Sequence, residues 1–221
     1  MVEAVSFVFF DVDGTLIDSY PGIRASFVHA MTSLGYPLPP EDKIRTIPGP
    51  PMVQSLARFG VPEAQLSEGL AHYMSATEGG NWKKCEPYAG LPELLPRLAE
   101  DFTLATATSK SERFALKVLE LFEMREAFSF IGAAQENGPR REKHDVIAYV
   151  LDKLELHGRE SEILMVGDRQ HDIAGAAQFG IPTVAVNWGY GTPEEWAAAQ
   201  YRADSPAQLE EIIYEHFGNK H

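Results

Sequence analysis

Short apolar runs rich in β-branched and aromatic residues recur along the chain, at 5–10, 102–106, 163–166 and 183–186, with a further one at 128–131. Each has strand length and stays apolar at successive positions, the pattern of a strand buried on both faces. Between them, residues 91–100, 112–122, 143–154, 171–179 and 207–217 carry apolar side chains at helical spacing. Strands alternating with helices predict an α/β domain, a doubly wound parallel sheet covered by helices on both sides. Residues 17–86 interrupt this alternation. They offer helical stretches at 23–34, 51–59 and 63–77 and no strand-like run, with Pro37, Pro39, Pro40 and the Pro48-Gly49-Pro50-Pro51 segment as turns. The expected organisation is therefore a core of residues 1–16 and 87–221 carrying a small α-helical domain, 17–86, inserted after the first strand.

Composition narrows the chemistry only a little. A chain of 221 residues with 44% hydrophobic and 23% charged residues matches an ordinary globular protein. A formal charge of −13 argues against nucleic acid as a partner, because phosphate backbones are met by basic surfaces. It leaves room for one phosphorylated metabolite, which a local cluster of cations and backbone amides can hold against an unfavourable global field. Cys85 is the single cysteine, so an internal disulfide is impossible and a reducing cytoplasm is the expected setting. The first ten residues lack a basic segment and read as a core strand, and no apolar run reaches membrane-spanning length.

In an open parallel sheet, ligands gather beyond the carboxyl ends of the strands. Three such ends carry polar groups: Asp11-Val12-Asp13-Gly14-Thr15-Leu16 after the first strand, Thr108-Ser109-Lys110 after the second, and Gly167-Asp168-Arg169 with Asp172 after the 163–166 run. Singly, each has a bland reading as a turn or helix cap. Together, Asp11, Asp13, Asp168 and Asp172 would repel one another and resist desolvation unless a cation joined them. Carboxylates, carbonyls and water are the oxygen ligands that Mg²⁺ prefers.

The chain resembles the haloacid dehalogenase-like hydrolases, and among them the phosphoglycolate phosphatase-like members. The likeness rests on Asp11-Val12-Asp13-Gly14-Thr15-Leu16, Thr108, Lys143 and Gly167-Asp168-Arg169-Gln170-His171-Asp172, with Gly49-Pro50-Pro51 and Trp188-Gly189-Tyr190-Gly191 beside them. It implies a Mg²⁺-dependent phosphomonoesterase in which Asp11 attacks phosphorus and Asp13 acts as general acid and base. Asp11, the Asp13 carbonyl and Asp168 would hold the metal. Thr108 would donate to a phosphoryl oxygen, Lys143 would supply a fixed positive charge, and Gly14, Ser109 and Asp172 would support them. Ser109 departs from the asparagine that many relatives carry there, and Lys110, Arg140 and Arg141 also compete for the role given to Lys143.

The inserted helices follow directly on the catalytic loop and in the family form a lid. Arg24 and Arg45 of the insert and Lys110 of the core are candidate contacts for a second anionic group of the substrate. Asp13 argues against dehalogenation, which does not need it. Phosphosugar mutase, 5'-nucleotidase and pyrophosphatase activities use the same core motifs and stay open as alternatives, as does a binding module that has lost turnover. A monomer or a homodimer is equally compatible with the sequence.

Overall fold

The computed structural model describes residues 6–136 and 138–218. Val5, within the first expected strand, lies outside them. The chain divides into two compact units, one of residues 1–17 and 87–221 and the other of 18–86.

The larger unit is built on a six-stranded sheet. Its strands are β1 (Phe7–Phe10), β4 (Thr103–Ser111), β5 (Phe130–Ala134), β6 (Ile163–Gly167), β7 (Thr183–Val186) and β8 (Tyr201–Ala203), in the order β5-β4-β1-β6-β7-β8. Every neighbouring pair is parallel. Two further strands, β2 (Ile17–Asp18) and β3 (Glu86–Pro87), pair where the chain leaves this unit and returns to it. Helices α5 (Leu91–Asp101), α6 (Glu112–Leu121), α7 (Lys143–Lys153), α8 (Gln170–Ala177) and α9 (Pro206–Phe217) cover the sheet. Phe7 and Phe9 face a core shared with Val146, Ile147, Val150 and Leu151 of α7. Phe10 points the other way, edge-on to Phe128 at 6.0 Å. That two-sided burial is why β1 is apolar at every position.

The chain moves from β1 outward to β4 and β5, then returns past β1 to β6 and continues through β7 to β8. The winding reverses between β1 and β6, and a crevice for ligands opens at the carboxyl ends of two strands that diverge this way. Asp11 and Asp168 are the first residues beyond those ends.

The smaller unit contains α1 (Tyr20–Ser33), α2 (Glu41–Ile44), α3 (Met52–Arg58) and α4 (Glu63–Glu78). Phe27, Ala30, Met31, Ile44, Ile47, Leu56 and Val61 form its own core. Among the described residues no helix is long and apolar enough to cross a membrane.

Candidate active site

Each side chain of the site is placed by a local device. Asp11 leaves β1 with its N–H bonded to the Val166 carbonyl of β6 at 2.9 Å, so the first motif begins in the register of the sheet. Gly14 then turns the chain at φ +84°, and a Cβ there would lie 2.3 Å from Asp168 Oδ2. Only glycine meets both demands. Thr108 sits inside β4, which runs on to Ser111 past the 102–106 strand expected from sequence; the pairing with β5 slips between Thr108 and Ser111, and α6 begins at Glu112 as the sequence pattern expected. Such an irregularity re-aims a strand's side chains. The amides that open α6 are therefore separated from Thr108 by three residues.

Lys143 is the first residue of α7, whose start is closed by the Asp145 carboxylate accepting the Glu142 N–H at 3.2 Å. Its side chain is buried and threads to the sheet, where Nζ donates to the Ala107 carbonyl at 2.8 Å. The same Nζ lies 2.9 Å from Asp11 Oδ1 and 2.6 Å from Asp172 Oδ1. The ammonium therefore joins the two carboxylates by charge and by hydrogen bonding at once. Asp172 serves two purposes at once. One oxygen caps α8 by accepting the Arg169 N–H at 3.0 Å, and the other faces Lys143. The bland helix-cap reading and the functional one both apply to it.

Asp11, Asp168 and Asp172 are buried with a ligand atom of each within 4.8 Å of the others. Three carboxylates against one ammonium leave two negative charges uncompensated. Burial pushes the Asp11 carboxyl up to about 6, with repulsion from Asp172 adding to it and Lys143 and the Thr108 hydroxyl opposing it. Asp168 is raised well above the usual carboxylate range by burial, then by Asp172 and Asp11. Lys143 is held firmly protonated, because its two carboxylates outweigh the burial that disfavours its charge. A cluster of hard oxygen donors short of two positive charges suits a divalent cation such as Mg²⁺.

Asp13 stands apart from this cluster. Its carboxylate is spanned by Lys110, with Nζ at 2.8 Å from Oδ1 and 3.1 Å from Oδ2. Lys110, expected from sequence as a substrate contact, is thus committed to Asp13. The other cations that competed with Lys143 are also accounted for: Arg140 donates to the Ala133 carbonyl and stacks on Tyr149, and Arg141 donates to the Gly138 and Glu136 carbonyls. Ser109 is half-buried beside Thr108. Arg24 and Arg45 belong to the helical unit. Arg24 holds Glu41 through two bonds of 2.8 Å, Tyr20 donates to the same carboxylate at 2.6 Å, and Arg45 lies over the Tyr20 ring.

The chain matches the family model described as haloacid dehalogenase-like hydrolase over residues 8–186. It belongs to that family. Among its relatives, the tyrosine-protein kinase PtkA of Mycobacterium tuberculosis is 40% identical over 86% of this chain, which spans 64% of the length of that protein. A 5'-nucleotidase of Pseudomonas aeruginosa is 33% identical over 95% of this chain and 96% of its own. A predicted phosphatase of Clostridium acetobutylicum has the same fold, with a TM-score of 0.90 and 28% identity over 96% of this chain and all of its own. In this haloacid dehalogenase-like hydrolase the Trp188-Gly189-Tyr190-Gly191 segment, which the sequence placed either at the pocket entrance or in a packed loop, reaches Asp168 through the Tyr190 N–H at 2.6 Å.

Proposed function

We propose that this chain is a phosphomonoesterase acting on a small phosphorylated metabolite, through a phosphoryl group carried transiently on Asp11. The observation that carries the reading is the buried trio of Asp11, Asp168 and Asp172, with Lys143 between Asp11 and Asp172, at the point where the sheet reverses its winding. Asp11 and Asp168, with the Asp13 main-chain carbonyl, would hold Mg²⁺. The bound ion supplies shielding between the anionic substrate and the anionic nucleophile.

Asp11 attacks phosphorus in line, the bond from phosphorus to the ester oxygen breaks, and Asp13, entering this step in its acid form, gives its proton to that departing oxygen. Asp13 then removes a proton from the water that splits the aspartyl-phosphate. Lys143 keeps its charge throughout and stabilises both the Asp11 carboxylate and the negative phosphoryl oxygens. Asp172 fixes the direction of Lys143, and Thr108, a hydrogen-bond partner of Asp11, presents its hydroxyl to a phosphoryl oxygen. Lys110 keeps the Asp13 carboxylate in one orientation. The helical unit would act as the lid that excludes water and selects the substrate.

A phosphoglycolate-like metabolite is the first reading of the substrate. A nucleoside 5'-monophosphate is the second, favoured by the 33% identity with a 5'-nucleotidase over nearly the whole chain. Purified protein with Mg²⁺ should release inorganic phosphate from an aryl phosphate, and Asp11→Asn should abolish the release. A panel of phosphoglycolate, nucleoside monophosphates, sugar phosphates and pyrophosphate then ranks substrates by kcat/KM. Phosphate moving between positions of a sugar would favour a mutase, and transfer from ATP to a tyrosine would favour the activity in the name of the 40% identical relative. Retention of most phosphate release in Asp11→Asn would refute the nucleophile.

A further inference from the structure

The segment Trp188-Gly189-Tyr190-Gly191 has no step in the phosphoryl chemistry proposed above, yet it folds onto one member of the acidic trio. The Tyr190 N–H donates to Asp168 Oδ2 at 2.6 Å, and the Thr15 hydroxyl approaches Oδ1 at 3.4 Å. The Trp196 indole N–H donates to the Asp168 main-chain carbonyl at 2.7 Å. The Trp188 indole N–H donates to the Thr15 carbonyl at 3.0 Å, tying the loop back to the first motif. Side chain and backbone of Asp168 are therefore both held, by residues 22, 28 and 153 positions away in sequence.

The approach has no slack. A Cβ at Gly189 would lie 2.4 Å from Asp168 Cβ, from Asp168 Oδ2 and from the Gly14 carbonyl. Two of those atoms belong to the fully buried Asp168 and the third is main chain, so a methyl group must displace the aspartate or the first motif. A carboxylate offers about four lone-pair positions. Tyr190 and Thr15 occupy one on each oxygen, which leaves one on each directed elsewhere. Partners of this kind orient a metal ligand without touching the metal.

We propose that the 188–196 segment is the positioning device of the cation site, with the Tyr190 main chain, Thr15, Trp196 and Gly189 aiming the Asp168 carboxylate at the ligand position beside Asp11. The inference rests on the cation site of the proposed function and adds these four positioning residues to it. Two of the three tryptophans are bonded into the device, so cation uptake should also change the intrinsic fluorescence of the protein.

The test titrates Mg²⁺ into the metal-free full chain, reading heat, for wild type, Thr15→Val, Thr15→Ser, Trp196→Phe and Gly189→Ala. Thr15→Val, Trp196→Phe and Gly189→Ala should each weaken the dissociation constant by about tenfold to a hundredfold. Thr15→Ser keeps the donor and should stay within about twofold of wild type. A merely structural loop would lower the unfolding midpoint of these variants while leaving the affinity of the folded protein unchanged, and that result overturns the proposal. If Gly189→Ala fails to fold, Thr15→Val and Trp196→Phe decide the outcome. Wild type that takes up no Mg²⁺ would overturn the cation site and this inference together, whereas wild-type affinity in the variants refutes the positioning device alone.

Discussion

The unbalanced charge around Asp11 should be visible as a stability that runs the wrong way with pH. A native carboxylate usually gains from ionising, but here burial raises the Asp11 carboxyl to about 6 from an ordinary 3.8. Between those values the metal-free native state holds a proton that the unfolded chain has released. Stability therefore falls as pH rises through this window. About two units at about 1.4 kcal/mol each give a loss of about 3 kcal/mol between roughly pH 4 and pH 7. Asp11→Asn has no such proton to lose, so the wild-type stability minus that of the variant should decline by this amount across the range. Removing Asp11 also relieves Asp168, which changes the difference in the same direction. Urea unfolding in chelator at low protein concentration would measure it, since the isoelectric point near 4.9 lies inside the range. Saturating Mg²⁺ should flatten the difference curve, because the ion favours the ionised cluster. Parallel stability curves for the two proteins in chelator would refute the account of an electrostatically strained site.

Lys143→Met strands Asp11 and Asp172 without their shared cation and should cost about 3–5 kcal/mol in chelator by urea unfolding, with phosphate release lost. Asp13→Asn should slow the hydrolysis of alkyl phosphates by about a hundredfold to ten-thousandfold in kcat, and that of a dinitrophenyl phosphate far less, because only the poor leaving group needs the proton from Asp13. Gly14→Ala combines a positive φ with a clash on Asp168 and should lower stability by about 1–3 kcal/mol in thermal unfolding while abolishing turnover.

Most of the α/β architecture was legible because local pattern carries it. The runs that became β1, β6 and β7 are apolar on both faces, which only a covered parallel strand needs, and the helices between them repeat at the helical period. The acidic motifs were legible for a related reason, since a strand end in this fold is already a ligand position. Elements without a local signature were missed: β8 is three residues at the sheet edge, and α2 a single turn among prolines. The polar extension of β4 through Ser111 was also missed, because its pairing with β5 and not its hydrophobicity makes it a strand.

The motif resemblance singled out Lys143 as the cation beside Asp11, but spacing alone did not separate it from its rivals. Lys110, Arg140 and Arg141 are all cations near the motifs in sequence, and the packing of α7 beneath the sheet is what carries Lys143 between Asp11 and Asp172 while Lys110 closes on Asp13. The grip of residues 188–196 on Asp168 was hidden for the same reason. Residue type and spacing determined the strands, the helices and the chemical groups available. The pairing of those groups depends on distances between segments far apart in sequence, and only the tertiary structure decided it.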